Sequence, residues 1–203
     1  MSILIPLPNI AFSSHAARSI GANRIVSNNI SRHEYALIFT FARLVKFAID
    51  RYQEAQSAQK RFLEDNESIN LTSLISFSSN IECFIDTFHR SSSILRKILK
   101  DYPAYREILP KNIVEIQSVV DASTRKIRDK IQHIDNIVIG MKTKNPQKMG
   151  AIIPGLTDKG EFEVANEKIA IKQLLEWLEQ FSNYAQTIAD RQIAILNNKA
   201  TSS

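Results

Sequence analysis

The stretch Ser123–Asp135, STRKIRDKIQHID, combines a helical apolar repeat with the densest cluster of cations in the chain. On a helical wheel of 100° per residue, Ile131 and Ile134 lie within about 40° of Ile127, which predicts one buried line. Charged and polar side chains fill both flanks, as in an amphipathic helix that packs one face against a protein core. The repeat predicts a long helix from about Lys111 to about Ile139.

The sequence has three more amphipathic stretches, two before this helix and one after it. Ser31 and Glu34 form a capping box, which predicts the start of the first of them. Apolar residues at spacings of three and four predict helices over about 31–64, 71–100 and 172–197. The segment Asp101–Pro110 is bounded by prolines and is expected to be a loop between the second and third helices.

A short segment before the last helix has a different pattern. Apolar and polar residues alternate on both sides of Thr157–Gly160, which predicts a small β-hairpin, and the run Lys168–Ile171 either adds a strand or begins the last helix. The predicted fold class is therefore all-α, a bundle of four long helices with a small β-hairpin inserted before the last helix. We expect an irregular N-terminal arm over 1–30, a single helical-bundle domain over 31–197 and a disordered tail over 198–203.

Composition limits the class of protein. The chain has 203 residues, a formal net charge of +5, four histidines and a single cysteine, Cys83. One cysteine excludes an intramolecular disulfide, and the histidines are scattered without metal-ligand spacing. No apolar run approaches the roughly 20 residues that span a bilayer. We therefore expect a cytoplasmic protein with no membrane segment, no metal site and no cofactor.

The two flanks of the third helix carry different candidate chemistry. With Ile127 at zero on the wheel, Arg128 falls at about +100° and Asp135 at about +80°, whereas His133 falls at about −120°. Asp129 precedes His133 by four residues, so its carboxylate is placed to orient the imidazole. In one interpretation Arg128 binds an anion; in the other it pairs with Asp135 and His133 is an ordinary surface histidine. Because Arg128 and His133 straddle the buried line, a site that uses both needs a distorted helix end or a second protomer.

The segment Arg128-Asp-Lys-Ile-Gln-His133 resembles the Arg-polar-x3-His signature of the HEPN superfamily, the "higher eukaryotes and prokaryotes nucleotide-binding" helical domains. The resemblance implies a helical bundle that is usually dimeric and, in many members, a metal-independent ribonuclease, often a toxin. It further implies that Arg128 stabilises the scissile phosphate and that His133 is the general acid/base for attack by the ribose 2′-hydroxyl. Asp129 would occupy the polar second position and tune the site.

Basic residues near the motif extend this hypothesis. The candidate RNA-binding residues are Arg125, Lys126, Lys130, Lys142 and Lys144. Such a cluster within about 25 residues is typical of a phosphate-binding surface. The expected partners are RNA, a second copy of the chain, and an antitoxin or another protein. The alternative is a non-catalytic helical adaptor or scaffold that binds a protein partner, in which the basic cluster is a solvated face.

Overall fold

The structure, a computed structural model, describes residues 31–64, 71–133 and 155–200, except for the side chains of 192, 193 and 195–200. The predicted arm over 1–30 and the lysine-rich segment with Lys142 and Lys144 lie outside these described residues. Within them the chain is mostly helical, with one small antiparallel sheet, which confirms the predicted all-α bundle with an inserted hairpin. None of the described helices is long and apolar enough to cross a membrane.

The elements follow one another in a simple order. The helices are α1 (Arg32–Glu64), α2 (Leu71–Asp101), α3 (Ala104–Ile108), α4 (Ile113–Gln132) and α5 (Ile171–Ala200). The strands, which lie between α4 and α5, are β1 (Gly155–Leu156), β2 (Glu161–Val164) and β3 (Glu167–Ala170). The segment predicted as a loop, Asp101–Pro110, therefore contains the short helix α3. The last helix continues to Ala200, so only residues 201–203 of the predicted tail lie outside the described part of the chain.

The third long helix, α4, is shorter than its apolar repeat predicts. It ends at Gln132 instead of about Ile139, and residues 134–154 lie outside the described part of the chain. The backbone N–H of His133 reaches the carbonyl oxygens of Asp129 at 3.2 Å and Lys130 at 3.3 Å. This sharing between the fourth and the third preceding residue is typical of the tightened last turn of a helix.

An antiparallel pair of helices, α1 and α2, forms the centre of the bundle. Ser31 Oγ lies 3.0 Å from Tyr102 Oη at one end of the pair, and Arg51 Nη1 donates to Asn80 Oδ1 at 3.2 Å farther along. The predicted cap of α1 is present, because Ser31 Oγ accepts the backbone N–H of Glu34 at 3.0 Å. Both helices bury a stripe of apolar residues in the core.

Aromatic side chains join this pair to α5. Phe84 and Phe88 of α2 stack with ring centroids 6.0 Å apart, and Phe88 meets Phe181 of α5 edge-on at 5.0 Å. Phe41 of α1 contacts the same Phe181 ring at 5.9 Å. All four rings are buried, and full burial of one such side chain stabilises the fold by roughly 1.5–3 kcal/mol. The apolar core is thus built mainly by α1, α2 and α5.

The sheet lies beside the start of α5 and contacts α4. Its strand order is β1-β2-β3, all antiparallel, which confirms the hairpin and assigns the ambiguous run before α5 to a strand. Phe162 and Val164 of β2 are buried and alternate with partly exposed glutamates, as the period of two requires. Ala165 and Asn166 connect β2 to β3 with φ angles of 47° and 70°. Positive φ at both central residues is the geometry of a type I′ hairpin turn.

Candidate functional site

The surface where α2 meets α4, here called the α2–α4 seam, is lined by polar side chains. Its residues are Asp86, His89, Ser92, Ser93 and Arg96 of α2 and Gln117, Asp121, Thr124, Arg125 and Arg128 of α4. They recur every three or four positions on each helix and therefore project from one flank of it. Serine is only a moderate helix former, and two serines of α2, Ser92 and Ser93, contact α4 across this seam.

The buried end of the seam is fully hydrogen-bonded. Gln117 Nε2 donates to Ser92 Oγ at 3.1 Å, and that hydroxyl donates to the backbone oxygen of Gln117 at 3.2 Å. The side chain of Asp121 is 6% exposed and accepts from Arg96 Nη1 at 3.4 Å and from Arg125 one turn along α4. A buried carboxylate is costly unless it is paired, and these two guanidinium groups supply the pairing for Asp121.

His89 lies in the middle of the seam and is 9% exposed. Its Nδ1 is 3.0 Å from Thr124 Oγ1, and that hydroxyl donates to the backbone oxygen of Val120 at 2.7 Å. A threonine hydroxyl has one proton, so Thr124 accepts from His89 and the imidazole proton is on Nδ1. Asp121 Oδ1, 3.7 Å from the same nitrogen, favours this tautomer.

Burial lowers the pKa of His89 below its ordinary value of 6.5, because desolvation penalises the charged imidazolium. Asp121 opposes this shift of the pKa, whereas the positive charges of Arg128 and Arg125 add to it. His89 is consequently neutral at pH 7. Its second ring nitrogen, Nε2, has no hydrogen-bond partner among the described residues and keeps its lone pair.

Arg128 sits at the open end of the seam. Its Nε donates to Asp86 Oδ1 at 2.7 Å, and the other carboxylate oxygen of Asp86 lies 4.0 Å from Arg90 Nη1. Two guanidinium groups therefore share one carboxylate. In the described part of the chain the terminal nitrogens of Arg128 make no hydrogen bond. The arginine is positioned by Asp86 through one atom and retains donors for a second anion.

These groups line one open cleft of about 260 Å³. The cleft is lined by Thr40 and Leu44 of α1, His89, Arg90, Ser93 and Ile94 of α2, and Arg128 of α4. It brings together two guanidinium groups, a neutral imidazole and two hydroxyls, with apolar side chains at its edge. Such a set can bind an oxyanion with the cations and accept a proton at the imidazole.

Several residues singled out from the sequence lie elsewhere. His133 is exposed at the C-cap of α4, and in the described chain it forms no side-chain hydrogen bond or ion pair with Asp129, which is also exposed. Arg125 forms an ion pair with Asp121 on its own helix. Lys126 lines a different cavity of about 320 Å³, beside β3 and Trp177 of α5.

Arg128 and His133 of one chain are therefore not brought together. The pairing of Arg128 with Asp135 lies outside the described residues, and the partner that the structure shows is Asp86. Lys130 is half-buried and does not line the cleft. Among the described residues, no group of three His, Cys, Asp or Glu side chains is arranged to hold a metal ion.

Comparison with protein-family models, curated proteins and solved structures found no match for this chain. The site is thus assigned from its geometry alone. Asp86 and His89 lie three residues apart on α2, and the sequence pattern gave them no role. Arg90 was missed. The signal that identifies them is the polar repeat at spacings of three and four on both α2 and α4.

Proposed function

We propose that this protein binds RNA at the phosphate backbone through Arg128 and cleaves it without a metal ion, as the resemblance to HEPN domains implies. The observation that carries the proposal is the placement of Arg128 in an open cleft. Asp86 anchors its Nε, and the terminal nitrogens are available beside Arg90 and the neutral imidazole of His89. Planar guanidinium groups match the oxygens of a phosphate better than any other side chain does.

The balance of charge along the seam supports a polyanion as the ligand. The ion pairs of the seam, together with that of the adjacent Arg90, involve four arginines but two carboxylates, an excess of two positive charges. These residues lie on one surface that runs along two antiparallel helices. A strip of cations of this kind can follow successive phosphates of a single strand. Lys142 and Lys144, which lie outside the described residues, stay proposed as RNA-binding residues.

The HEPN resemblance also implies a homodimer. In one chain the cleft of Arg128 does not include His133. A second copy that presents its His133 to this cleft would complete the pair of residues in the motif, with Asp129 beside it. We therefore propose a dimer as the form that uses His133, and an antitoxin or other protein as a further partner.

The experiment measures binding of a fluorescent single-stranded RNA by anisotropy at several salt concentrations. Arg128→Ala is expected to weaken binding about tenfold or more, since a hydrogen bond to a charged group contributes roughly 1.5–3 kcal/mol. It should also lower the salt dependence by about 0.7, the contribution of one phosphate contact on a single strand. Arg61→Ala is the matched control, because Arg61 is exposed in the last turn of α1. It lies about 25 Å along that helix from Leu44, at 1.5 Å per residue.

Cleavage is followed on the same RNA in the presence of EDTA. The proposal expects products with 2′,3′-cyclic phosphate ends that disappear in Arg128→Ala. Equal RNA affinity of wild type, Arg128→Ala and Arg61→Ala would contradict the assignment of Arg128. Absence of RNA binding by a folded dimer would contradict the proposed function as a whole.

A second candidate function is a non-catalytic adaptor, which a separate surface favours. Leu63 near the end of α1 and Leu71 and Ile75 at the start of α2 are 40%, 60% and 57% exposed. Large apolar side chains grouped at one end of a bundle are typical of a protein-binding surface. The alternative would be supported if the protein does not bind RNA but captures a protein partner. Leu71→Asp and Ile75→Asp should then abolish that capture, whereas Arg128→Ala should leave it unchanged.

A further inference from the structure

We propose that His89 is the general base of this cleft and accepts the proton of a ribose 2′-hydroxyl at its Nε2. The inference rests on the proposed function, because it presupposes an RNA phosphate bound at Arg128. It does not follow from the motif that suggested that function, since His89 lies on a different helix and 39 positions before Arg128 in the sequence. Hydrogen bonds to its neighbours place the imidazole proton of His89 on Nδ1. The lone pair on Nε2 is left without a partner in the described chain, and His89 lines the cleft.

The position of the imidazole proton decides which nitrogen can act as a base. Thr124 uses its own proton on the carbonyl of Val120, so it must accept from His89 Nδ1. Asp121, 3.7 Å from Nδ1, stabilises positive charge on the ring when a proton arrives at Nε2. A base oriented by a hydrogen-bond acceptor and a carboxylate on its far side is the arrangement that many hydrolytic sites use.

The reaction step balances without a metal ion or a redox partner, and solvent only exchanges protons. His89 Nε2 takes the proton of the 2′-hydroxyl while O2′ forms a bond to the adjacent phosphorus. Arg128 stabilises the negative charge on the non-bridging oxygens as the bond from phosphorus to O5′ breaks. O5′ receives a proton from solvent, and His89 returns its proton to solvent afterwards. The products are a 2′,3′-cyclic phosphate and a 5′-hydroxyl, which sum to the atoms of the substrate.

The charges around His89 set the pH at which it can work. Asp121, Arg125 and Arg128 face it from α4, and Asp86 and the cleft-lining Arg90 belong to its own helix. The cleft lining from α1 in the described chain is Thr40 and Leu44, which do not titrate. Desolvation, with the nearby arginines, holds the pKa of His89 below 6.5. A general base must be deprotonated, so kcat/KM should rise with pH on the acid side and level off at a pH below that of an ordinary histidine.

The experiment compares His89→Asn with wild type. The amide nitrogen of asparagine occupies the place of Nδ1 and can donate to Thr124, so the contact inside the seam is kept while the base is removed. His33→Asn is the matched control, since His33 is an exposed histidine of α1 that also makes one hydrogen bond, to Asp101. We expect His89→Asn to lower kcat about 10²- to 10⁴-fold, the usual contribution of a general base, with RNA affinity retained. His33→Asn should cleave at the wild-type rate.

Each outcome separates this inference from the proposed function. If RNA is bound and cleaved, and His89→Asn cleaves as fast as wild type, His89 is a structural residue and the inference is overturned while RNA cleavage stands. RNA that is bound but not cleaved overturns it too. Absence of RNA binding removes both. If His89→Asn does not fold, the wild-type profile decides alone, because an acid limb of kcat/KM centred at or above pH 6.5, or no acid limb at all, would contradict the assignment.

Discussion

Asp86 competes with any phosphate for Arg128, so its charge gives a direct test of the cleft. The carboxylate accepts from Arg128 Nε at 2.7 Å. A phosphate on the terminal nitrogens would stand about 7 Å from that carboxylate, where two unit negative charges repel by about 0.6 kcal/mol in water and about 2.4 kcal/mol at an effective permittivity of 20. The side chains of Arg128 and Asp86 are 28% and 37% exposed, so solvent screening places the value in the lower half of this range.

Asp86→Asn is therefore expected to tighten RNA binding by about 3- to 10-fold. The amide oxygen of asparagine still accepts from Arg128, so the loss of stability should be small, about 0.2–1 kcal/mol as for other exposed ion pairs. The assay is anisotropy with single-stranded RNA at low salt, repeated at high salt, where the gain should shrink. Asp50→Asn is the control, since it removes the same charge from an exposed pair with Lys46 on α1.

The result that refutes this reasoning is specific. If Asp86→Asn folds normally and binds RNA no better than Asp50→Asn, Arg128 is not a phosphate ligand, and its bond to Asp86 serves only to hold α2 against α4. A gain that is equal in the two variants would reflect net charge and would equally contradict the role of Arg128.

Three further predictions concern the fold. Phe88→Ala should lower the free energy of unfolding, measured in urea, by about 3–5 kcal/mol, since it leaves a cavity in the centre of the aromatic core. Phe39 is exposed, so Phe39→Ala should change the free energy of unfolding little. A loss below about 1 kcal/mol for Phe88→Ala would contradict the described packing. Because the pKa of folded His89 lies below 6.5, the unfolded state binds more protons, so stability should rise with pH up to about 6.5 and fall as pH drops below it. Thermal melts from pH 5 to 8 should show this dependence, and His89→Asn should reduce it; an unchanged slope in the variant would assign the dependence to other groups. Ala165→Asn should raise the melting temperature, since asparagine tolerates the positive φ of the type I′ turn by up to about 1 kcal/mol better than alanine, and Ala165→Val should lower it.

The bundle could be predicted because amphipathic periodicity is a local property of each helix. The apolar stripes of α1, α2 and α5 marked their faces and most of their ends. The same signal misplaced the end of α4, since Ile134 continues the stripe although the helix ends at Gln132. The short helix α3 was missed because it is five residues long and carries too little periodicity to distinguish it from a loop.

The site was harder to predict because its contacts join distant parts of the chain. Arg128 and Asp86 are 42 residues apart, and His89 and Thr124 are 35 apart. A wheel drawn for one helix shows which flank is polar, but it does not show which helix covers that flank. Arg128 was therefore singled out from its own helix alone, and its partner was sought on that helix, at Asp135, whereas the structure shows Asp86 of α2.

The composition of the α2–α4 seam is itself an argument for a site. Apolar residues of the same volume would hold two helices together at least as well as ionised ones, since buried ion pairs often contribute nothing net to stability. Charged residues at positions where apolar ones would stabilise the fold equally well are expected at functional sites. The buried end of the seam, around Asp121, satisfies its polar groups within the protein. In the cleft, within the described chain, Nε2 of His89 and the terminal nitrogens of Arg128 have no hydrogen-bond partner. This difference between the two parts of the seam supports the proposal of a ligand in the cleft over a scaffold role for α4.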